Sequence, residues 1–512
     1  MAVLRHLFAA VALPVTLLLL LFLFRRHHQK KPHLPPGPPG WPIVGNLFQV
    51  AFSGKQFTQY VSDLIPIHGD LFTVRMGVRT LIFIAGADLA REALVEKSLL
   101  FVNRPAENPT RSVFSCNKLT VNSALYGPEW RSLRRNMVSG MLSSARLREF
   151  SDLRRAAMDR FIDRIRAEAA SSGGAGGAGA VWVLQNARFA VFCILLKMCF
   201  GLELDEETVV LVDVLMKKVL NTISPRLDEF LPLLRPFFSG KRAEAMEVRR
   251  EQIKTVVSLI EKRREILKNP GDYPGAAAFS YLDSLLDFQI DGRSTAITDV
   301  ELVTLCSELL NGGTDTTATA VEWGIAQLID KPHLQQRMFE EINSVVVSDD
   351  PRPVTEKETE KMVFLQAFVK ELLRKHPPTY FSLTHAAVKP EKLGGYDIPP
   401  DANLEIYFPA ISEDPRLWSR PEEFDPERFL TGGESADITG VKEIKMIPFG
   451  AGRRVCPGLA MGTTHITLML ARMVQAFEWR PSPEAANVNF GSKLEFTVVM
   501  SPPLRATVVP RN

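Results

Sequence analysis

The sequence predicts a mainly α-helical fold with a small β portion, formed by one large domain that follows an N-terminal membrane anchor. Amphipathic helical patterns with charged faces cover residues 143–170, 208–223 and 244–267. Runs rich in β-branched and aromatic residues, such as residues 71–76 and 80–85, are typical of strands and are fewer. A chain of 512 residues with 46% hydrophobic composition and a net charge of +3 can bury a large core. These values argue against a disordered protein and against a general nucleic-acid binder.

Residues 1–31 are predicted to form a membrane anchor with a basic flank. Leu7 to Phe24 is a run of 18 residues without charge, which is just long enough to span a bilayer as a helix. Four Lys or Arg residues follow this run and one precedes it, so the positive-inside rule places the rest of the chain on the cytosolic side. A cleavable signal peptide is the alternative, but its apolar region is usually shorter and leads to a small-residue cleavage site.

Residues 32–45 follow as a proline-rich hinge. The segment from Pro32 to Pro42 cannot be helical and is predicted to be a stiff, extended connector. A proline-rich ligand for a partner domain is the alternative interpretation. Residues 46–512 then form the single large domain.

The cysteines point to one informative position. No two of the five form a Cys-x-x-Cys pair, which favours a reducing compartment and a fold without disulfides. Cys456 lies within residues 449–458, Phe-Gly-Ala-Gly-Arg-Arg-Val-Cys-Pro-Gly. The glycines before it permit positive φ, and the apolar helical pattern that starts at Leu459 places the sulfur near a helix N-terminus, which favours a thiolate. Taken alone, Cys456 could equally be a buried, inert thiol beside a glycine turn.

The spacing decides between these two interpretations. The pattern F-x-x-G-x-R-x-C-x-G over residues 449–458 resembles the haem-binding signature of the cytochrome P450 superfamily. The resemblance extends from the proline-rich hinge to the end of the chain and implies the cytochrome P450 fold for the large domain, which would be catalytic. It also implies a haem b cofactor, with Cys456 as the axial ligand of the iron and Phe449, Gly452 and Arg454 beside the haem.

The same resemblance implies a monooxygenase at the endoplasmic reticulum membrane that inserts one atom of O2 into a lipophilic substrate. Its electrons would come from NADPH through a cytochrome P450 reductase. Two alternatives stay open: a haem-thiolate isomerase or dehydratase that needs no O2, and a non-catalytic haem-binding protein. An apolar segment between residues 223 and 244, interrupted by three prolines, corresponds in the family to a lid that can touch the membrane; an ordinary packed corner is the alternative.

A long helix is predicted from Asp299 to about Ile329, because Thr298 and Glu301 form a capping-box pattern. Its middle contains two glycines, each of which costs about 1 kcal/mol relative to alanine, so we expect a loosened helix that leaves room for a diatomic molecule. There, Asp315 with solvent access and the Thr316 hydroxyl can supply and direct protons. The segment resembles the family's oxygen-activation motif, with Thr316 as its oxygen-binding threonine. A capped break between two helices is the alternative.

Three charged residues are predicted to have a structural role. Glu371 and Arg374 lie three apart on one helical face. With Arg428 they resemble the family's buried Glu-Arg-Arg triad, which implies that they fix the cysteine loop against the core and retain the haem.

Trp130 and Arg134 lie one helical turn apart and match the family's propionate-binding helix. Other basic residues are expected either to dock an acidic electron donor or to form a solvated charged surface. This basic surface consists of Arg131, Arg135, Lys442, Lys445 and Arg453.

The resemblance also implies the substrate pocket, since it assigns pocket walls to apolar segments that contain Phe114, Leu310, Phe381 and Phe490. The stretches 103–109 and 376–385 look most similar to plant family seventy-seven, whose members are in-chain fatty acid hydroxylases and epoxidases. This similarity suggests Arg111 or Lys118 as the anchor of a substrate carboxylate.

Overall fold

The computed structural model describes residues 32–172, 179–224, 226–273, 275–346, 352–430, 436–482, 484–485 and 487–511 of the chain. The predicted anchor and basic flank, residues 1–31, lie outside the described residues. The described part is mostly helical with small sheets, as the sequence predicts.

The α-helices are α1 (Leu47–Phe52), α2 (Phe57–His68), α3 (Ala87–Arg91), α4 (Pro109–Phe114), α5 (Pro128–Arg135), α6 (Ser144–Glu149), α7 (Ser151–Ser171), α8 (Val183–Phe200), α9 (Glu206–Thr222), α10 (Leu227–Phe230), α11 (Ser239–Lys268), α12 (Tyr281–Leu286), α13 (Asp299–Asp330), α14 (Pro332–Val345), α15 (Glu356–Thr359), α16 (Val363–Lys375), α17 (Phe408–Ser412) and α18 (Leu459–Ala476). Short π-helical turns lie at Glu92–Glu96 and Asn136–Met141, and 3-10 turns lie at Pro232–Phe238, Pro270–Asp272, Pro426–Phe429 and Gly452–Arg454.

The strands are β1 (Leu71–Met76), β2 (Arg79–Ile84), β3 (Gly179–Trp182), β4 (Glu391–Leu393), β5 (Tyr396–Ile398), β6 (Asn403–Ile406), β7 (Phe477–Pro481), β8 (Ser492–Leu494), β9 (Val498–Met500) and β10 (Arg505–Pro510). One sheet has the order β1-β2-β6, with β1 antiparallel to β2 and β6 parallel to it. A second, antiparallel sheet has the order β3-β10-β7, and β4-β5 and β8-β9 are two-stranded. The two strands predicted at residues 71–76 and 80–85 are confirmed within one residue, and they form an antiparallel hairpin with Leu71 opposite Ile84.

Helix α13 runs through the main core and positions the site. The predicted capping box is present, since Thr298 Oγ1 accepts the Glu301 N–H and the Glu301 side chain accepts the Thr298 N–H. The helix packs against α8 on one side and α18 on another. Among the described residues, α8 alone is long and apolar enough to cross a bilayer, but 72% of it is buried, which is typical of a core helix.

Two helical predictions are wrong in detail. Residues 143–170 form two helices, α6 and α7, because the chain turns at Phe150, whose side chain is buried in the main core. The predicted loosening of α13 is not found, since the helix is continuous through both glycines. At Gly313 the glycine serves packing: a Cβ there would lie 2.8 Å from Leu195 Cδ1 of α8, so the Leu195 side chain would have to shift.

Candidate active site

The backbone around Cys456 is set by two glycines. Gly450 and Gly452 have φ of +69° and +67°, a region that favours glycine. A Cβ on Gly452 would lie only 1.8 Å from the carbonyl oxygen of Leu94, so no larger residue fits there. The Cys456 N–H donates to Phe449 O at 2.8 Å and closes the loop. The sulfur therefore sits just before α18, whose N-cap is Gly458.

The sulfur lies in an environment that suits metal ligation. Burial raises the pKa of the Cys456 thiol, whereas the N–H of Gly458 and the guanidinium of Arg134 favour its thiolate. A coordinated metal would remove the thiol proton outright. In the described ranges, no three His, Cys, Asp or Glu side chains form a group able to hold a metal. Haem iron can be held by a single cysteine thiolate of this kind.

The predicted propionate-binding residues converge near this sulfur. Trp130 Nε1 donates to Val121 O at 3.0 Å, and Arg134 Nη2 donates to Val455 O at 2.7 Å. The Arg454 guanidinium lies 4.6 Å from the centre of the Trp130 indole ring. Phe449 is half-buried beside the loop. The structure therefore brings Trp130, Arg134 and Arg454 together with the cysteine loop.

These guanidiniums carry a surplus of positive charge in a poorly hydrated place. Burial and the neighbouring Arg134 lower the pKa of Arg454 to about 10. Arg104, which the sequence analysis did not single out, is buried, and burial together with Arg454 lowers its pKa to about 9. Glu308 and Glu405 offset part of this charge, and the two propionates of haem would supply further anionic partners. The residues present therefore fit a thiolate-ligated haem.

On α13, Asp315 is half of an ion pair with a residue that the sequence analysis missed. Arg188 of α8 donates from Nε to Asp315 Oδ1 at 2.6 Å and also pairs with Asp213 of α9. The expected solvent access of Asp315 is accordingly limited, with 18% of its side chain exposed. Arg188 lies 127 positions before Asp315, and no local spacing signals such a contact.

Thr316 and Gly312 meet within one helical turn. The Thr316 Oγ1 donates to the Gly312 carbonyl at 2.9 Å. A Cβ at Gly312 would meet nothing within 4 Å, so this face of α13 borders open space. The hydroxyl and the open space lie side by side, which is the arrangement that the oxygen-activation motif needs.

The structure brings Glu371, Arg374 and Arg428 into one buried ion-pair network. Both oxygens of Glu371 accept from Arg374 at 2.7 Å, and Arg428 Nε donates to Glu371 at 3.2 Å. Arg374 also donates to the carbonyls of Ser412, and of two further residues in the segment before the Pro426–Phe429 turn. The network ties α16 to that segment.

The four predicted pocket residues lie in three separate apolar clusters. Leu310 is fully buried in the main core, and Phe490 packs against the same core beside Trp323. Phe381 packs in a second cluster, and Phe114 packs in a third with residues of α9 and α11. The structure does not bring these four side chains together.

The two predicted carboxylate anchors differ in their availability. Lys118 Nζ donates to Pro105 O at 2.9 Å and to Arg104 O at 3.3 Å, so its ammonium is already engaged. Arg111 lies on α4 and is exposed.

Comparison with known proteins decides the family. The family model described as Cytochrome P450 matches residues 35–508. The chain belongs to the cytochrome P450 family. It is 32% identical to "Cytochrome P450 89A9" of Arabidopsis thaliana, and the match covers 96% of each chain. It is 30% identical to "Flavonoid 3'-monooxygenase" of the same plant, covering 96% of each, and 30% identical to "Drimenol monooxygenase" of Persicaria hydropiper, covering 94% of this chain and 93% of the relative.

Solved structures show the same fold. A zebrafish cytochrome P450 with progesterone has a TM-score of 0.72 at 24% identity, and one with abiraterone has a TM-score of 0.68 at 23% identity. Each match covers 89% of this chain and 99% of the other. The protein is a cytochrome P450 monooxygenase, and the family implies a haem cofactor. The expected similarity to plant family seventy-seven is not supported, since it rested on two short stretches and the relative at 32% identity is named 89A9.

Proposed function

We propose that this cytochrome P450 is a membrane-anchored enzyme of the endoplasmic reticulum that oxygenates a lipophilic substrate with electrons from NADPH, delivered by a reductase. The observation that supports it best is the thiol of Cys456, which accepts an N–H bond from Gly458 and lies beside a cluster of buried guanidiniums. Haem with a thiolate ligand activates O2 so that one oxygen atom enters the substrate and the other leaves as water.

The residues that would bind the haem come from two segments. Cys456 would ligate the iron, with Phe449 and Gly452 shaping the loop on that side. Trp130, Arg134 and Arg454 would exchange backbone carbonyl partners for propionate oxygens, which form stronger, charge-assisted bonds with guanidiniums. Glu371, Arg374 and Arg428 would retain the haem indirectly by fixing the segment that leads to the cysteine loop.

Asp315 and Thr316 would deliver protons. Thr316 Oγ1 can release the Gly312 carbonyl and donate instead to dioxygen in the adjacent open space. Asp315 can relay protons from solvent once its carboxylate turns from Arg188, so that the ion pair controls when the acid is available.

An acidic electron donor fits the basic surface. Arg131 and Arg453 are exposed, and Arg135 is 68% exposed with a long contact of 3.9 Å to Asp291. A surface with several accessible guanidiniums on the side of the cysteine loop would steer an acidic reductase domain toward the haem. Electron transfer should therefore slow as salt concentration rises.

The membrane attachment is supported by a set of exposed apolar side chains, here called the apolar face. Val78 N donates to Phe230 O at 2.9 Å, and Gly77 N donates to Val44 O at 3.1 Å, so three separate segments meet at the β1–β2 turn. Their exposed side chains would enter the lipid interface beside the predicted anchor. This apolar face consists of Trp41, Ile43, Phe52, Ile67, Val78, Leu233 and Phe237.

The substrate is proposed to be a fatty acid that is hydroxylated or epoxidised within its chain. Arg111 is the better carboxylate anchor, because it is exposed whereas the Lys118 ammonium already has two carbonyl partners. Replacing Arg111 with Gln should raise the KM for free fatty acids and leave the KM for their methyl esters unchanged. An unchanged KM for the acids would remove Arg111 from the substrate site.

The function is tested by expressing the full chain in microsomes with a plant reductase. We expect a thiolate-type spectrum of the reduced carbon monoxide complex and NADPH-dependent oxygenated products from long-chain fatty acids. Products formed without NADPH would point to an isomerase or dehydratase, and a pigmented protein without turnover on any lipid would point to a non-catalytic haem protein. Either result would overturn the proposal.

A further inference from the structure

The short loop between α4 and α5, residues 120–124, is held from two sides. On one side its backbone N–H groups donate to a carboxylate of α13. Val121 N donates to Glu308 Oε2 at 2.9 Å, and Asn122 N donates to Glu308 Oε1 at 2.7 Å. Both oxygens of Glu308 are thus bonded to adjacent amides of the loop, and hydrogen bonds to an ionised acceptor are the strong ones.

On the other side the carbonyls of the same loop accept from the basic cluster. Val121 O accepts from Trp130 Nε1 and from Arg454 Nη1, both at 3.0 Å. Ala124 O accepts from Arg454 Nη2 at 2.6 Å. The loop therefore connects Glu308 directly to two of the side chains that would bind propionates.

This connection matters most when the haem is present. Trp130 and Arg454 would then turn their N–H groups from the loop carbonyls to the propionates, and the loop would lose those donors. The two bonds to Glu308 are made to N–H groups, which the propionates do not compete for. Glu308 would keep the loop in place, and its carbonyls would stay available to the N–H groups of Arg454 that do not bind a propionate.

Glu308 also contributes charge to the cluster. Burial raises the pKa of Glu308 to about 7, and the two loop N–H groups together with Arg134 and Arg454 oppose that rise. Burying a carboxylate costs free energy unless it has partners that compensate. For Glu308 these partners are the two N–H groups of the loop and the guanidiniums of Arg134 and Arg454.

We infer that Glu308 is a positioning residue for the haem: its carboxylate fixes residues 120–124 so that Trp130 and Arg454 meet the propionates in one geometry. The inference rests on the thiolate-bound haem of the proposed function and adds a residue of α13 to the set that retains it. A role confined to folding would stabilise the loop without changing how the propionates are bound.

The test compares Glu308→Gln with a control from the same helix. Glu322 of α13 is also buried, accepts the Leu504 N–H at 2.9 Å, and has a pKa raised to about 7 by burial, but its partner precedes β10 and is not part of the loop of residues 120–124. We expect E308Q to release haem to apomyoglobin about tenfold faster, because one of two charge-assisted bonds is lost and the other weakened. The propionate-bending bands of its resonance Raman spectrum should shift. Glu322→Gln should leave both properties unchanged.

Glu308→Asp serves as the second variant if E308Q fails to fold. Its carboxylate is shorter by one methylene, so it should shift the same Raman bands with a smaller, roughly threefold, increase in haem release. The inference would be overturned if the variant that folds released haem at the same rate as the natural protein and had the same Raman bands. A natural protein that purifies without haem would instead overturn the proposed function.

Discussion

The cysteine loop and the middle of α13 are built in different ways. In the loop, the hydrogen bonds and turns that set the backbone at Cys456 are local: the N–H of Gly458, the carbonyl of Phe449 and two glycines with positive φ all lie within ten residues. Arg134 and Leu94 add contacts from elsewhere in the chain. On α13, Asp315 and Glu308 depend on partners far along the chain. A local motif can thus position a cysteine, whereas the surroundings of Asp315 and Glu308 require the assembled fold.

The largest effect is expected in the loop. Gly452→Ala would place a Cβ 1.8 Å from Leu94 O at a positive φ, so the loop must move and we expect haem binding to be lost. Gly450→Ala is the matched control, since its φ is also positive but its Cβ would meet nothing within 4 Å. It should cost only about 1 kcal/mol and keep the haem. The measurement is the haem content of the two purified variants. Equal haem content would show that the close contact between residue 452 and Leu94 O is unimportant.

Breaking the buried network of Glu371, Arg374 and Arg428 should have the next largest effect. Glu371→Gln leaves Arg374 and Arg428 without their shared carboxylate, and we expect a loss of about 3 to 5 kcal/mol in the free energy of unfolding. Glu413→Gln removes a partly exposed pair with Lys375 on the same helix and should cost less than about 1 kcal/mol. Denaturant unfolding measures the free energy of unfolding of the two variants. Similar losses in both would contradict the role of burial.

A pH dependence is expected from α13. Burial raises the pKa of Glu322 to about 7 from an ordinary value of 4.5, so the folded protein favours the neutral acid. Its stabilising contribution is complete below about pH 4.5 and is lost as the pH rises through 7. The advantage of the natural protein over Glu322→Gln should therefore shrink by on the order of 2 kcal/mol across this window. A difference in unfolding free energy that does not change with pH would refute this.

The smallest effect is expected for Thr316, which is compared with Thr314 of the same helix. Thr314 and Thr316 both donate to the carbonyl four residues back, at 2.7 and 2.9 Å, but Thr314 is buried and Thr316 is beside open space. Thr316→Val should reduce the product formed per NADPH consumed by about tenfold, while Thr314→Val should leave this ratio unchanged. Equal coupling in the two variants would remove Thr316 from the reaction.

The contrast between local and long-range contacts also explains which features could be predicted from the sequence. The hairpin at β1 and β2, the capping box of α13 and the position of Cys456 before α18 follow from local patterns, and the structure confirms them. Arg104, Arg188 and Glu308 were missed because each acquires its role from residues distant in the chain. The prediction that the two glycines loosen α13 was wrong for the same reason. Gly313 permits packing against Leu195 rather than opening the helix.

We propose that the thiolate of Cys456 is the protein ligand of the haem iron. The most direct measurement is the spectrum of the reduced carbon monoxide complex for the natural protein and for Cys456→His. We predict a thiolate-type band for the natural protein and a histidine-type band, without monooxygenase turnover, for the variant. A thiolate-type band that persists after Cys456 is replaced would contradict the account.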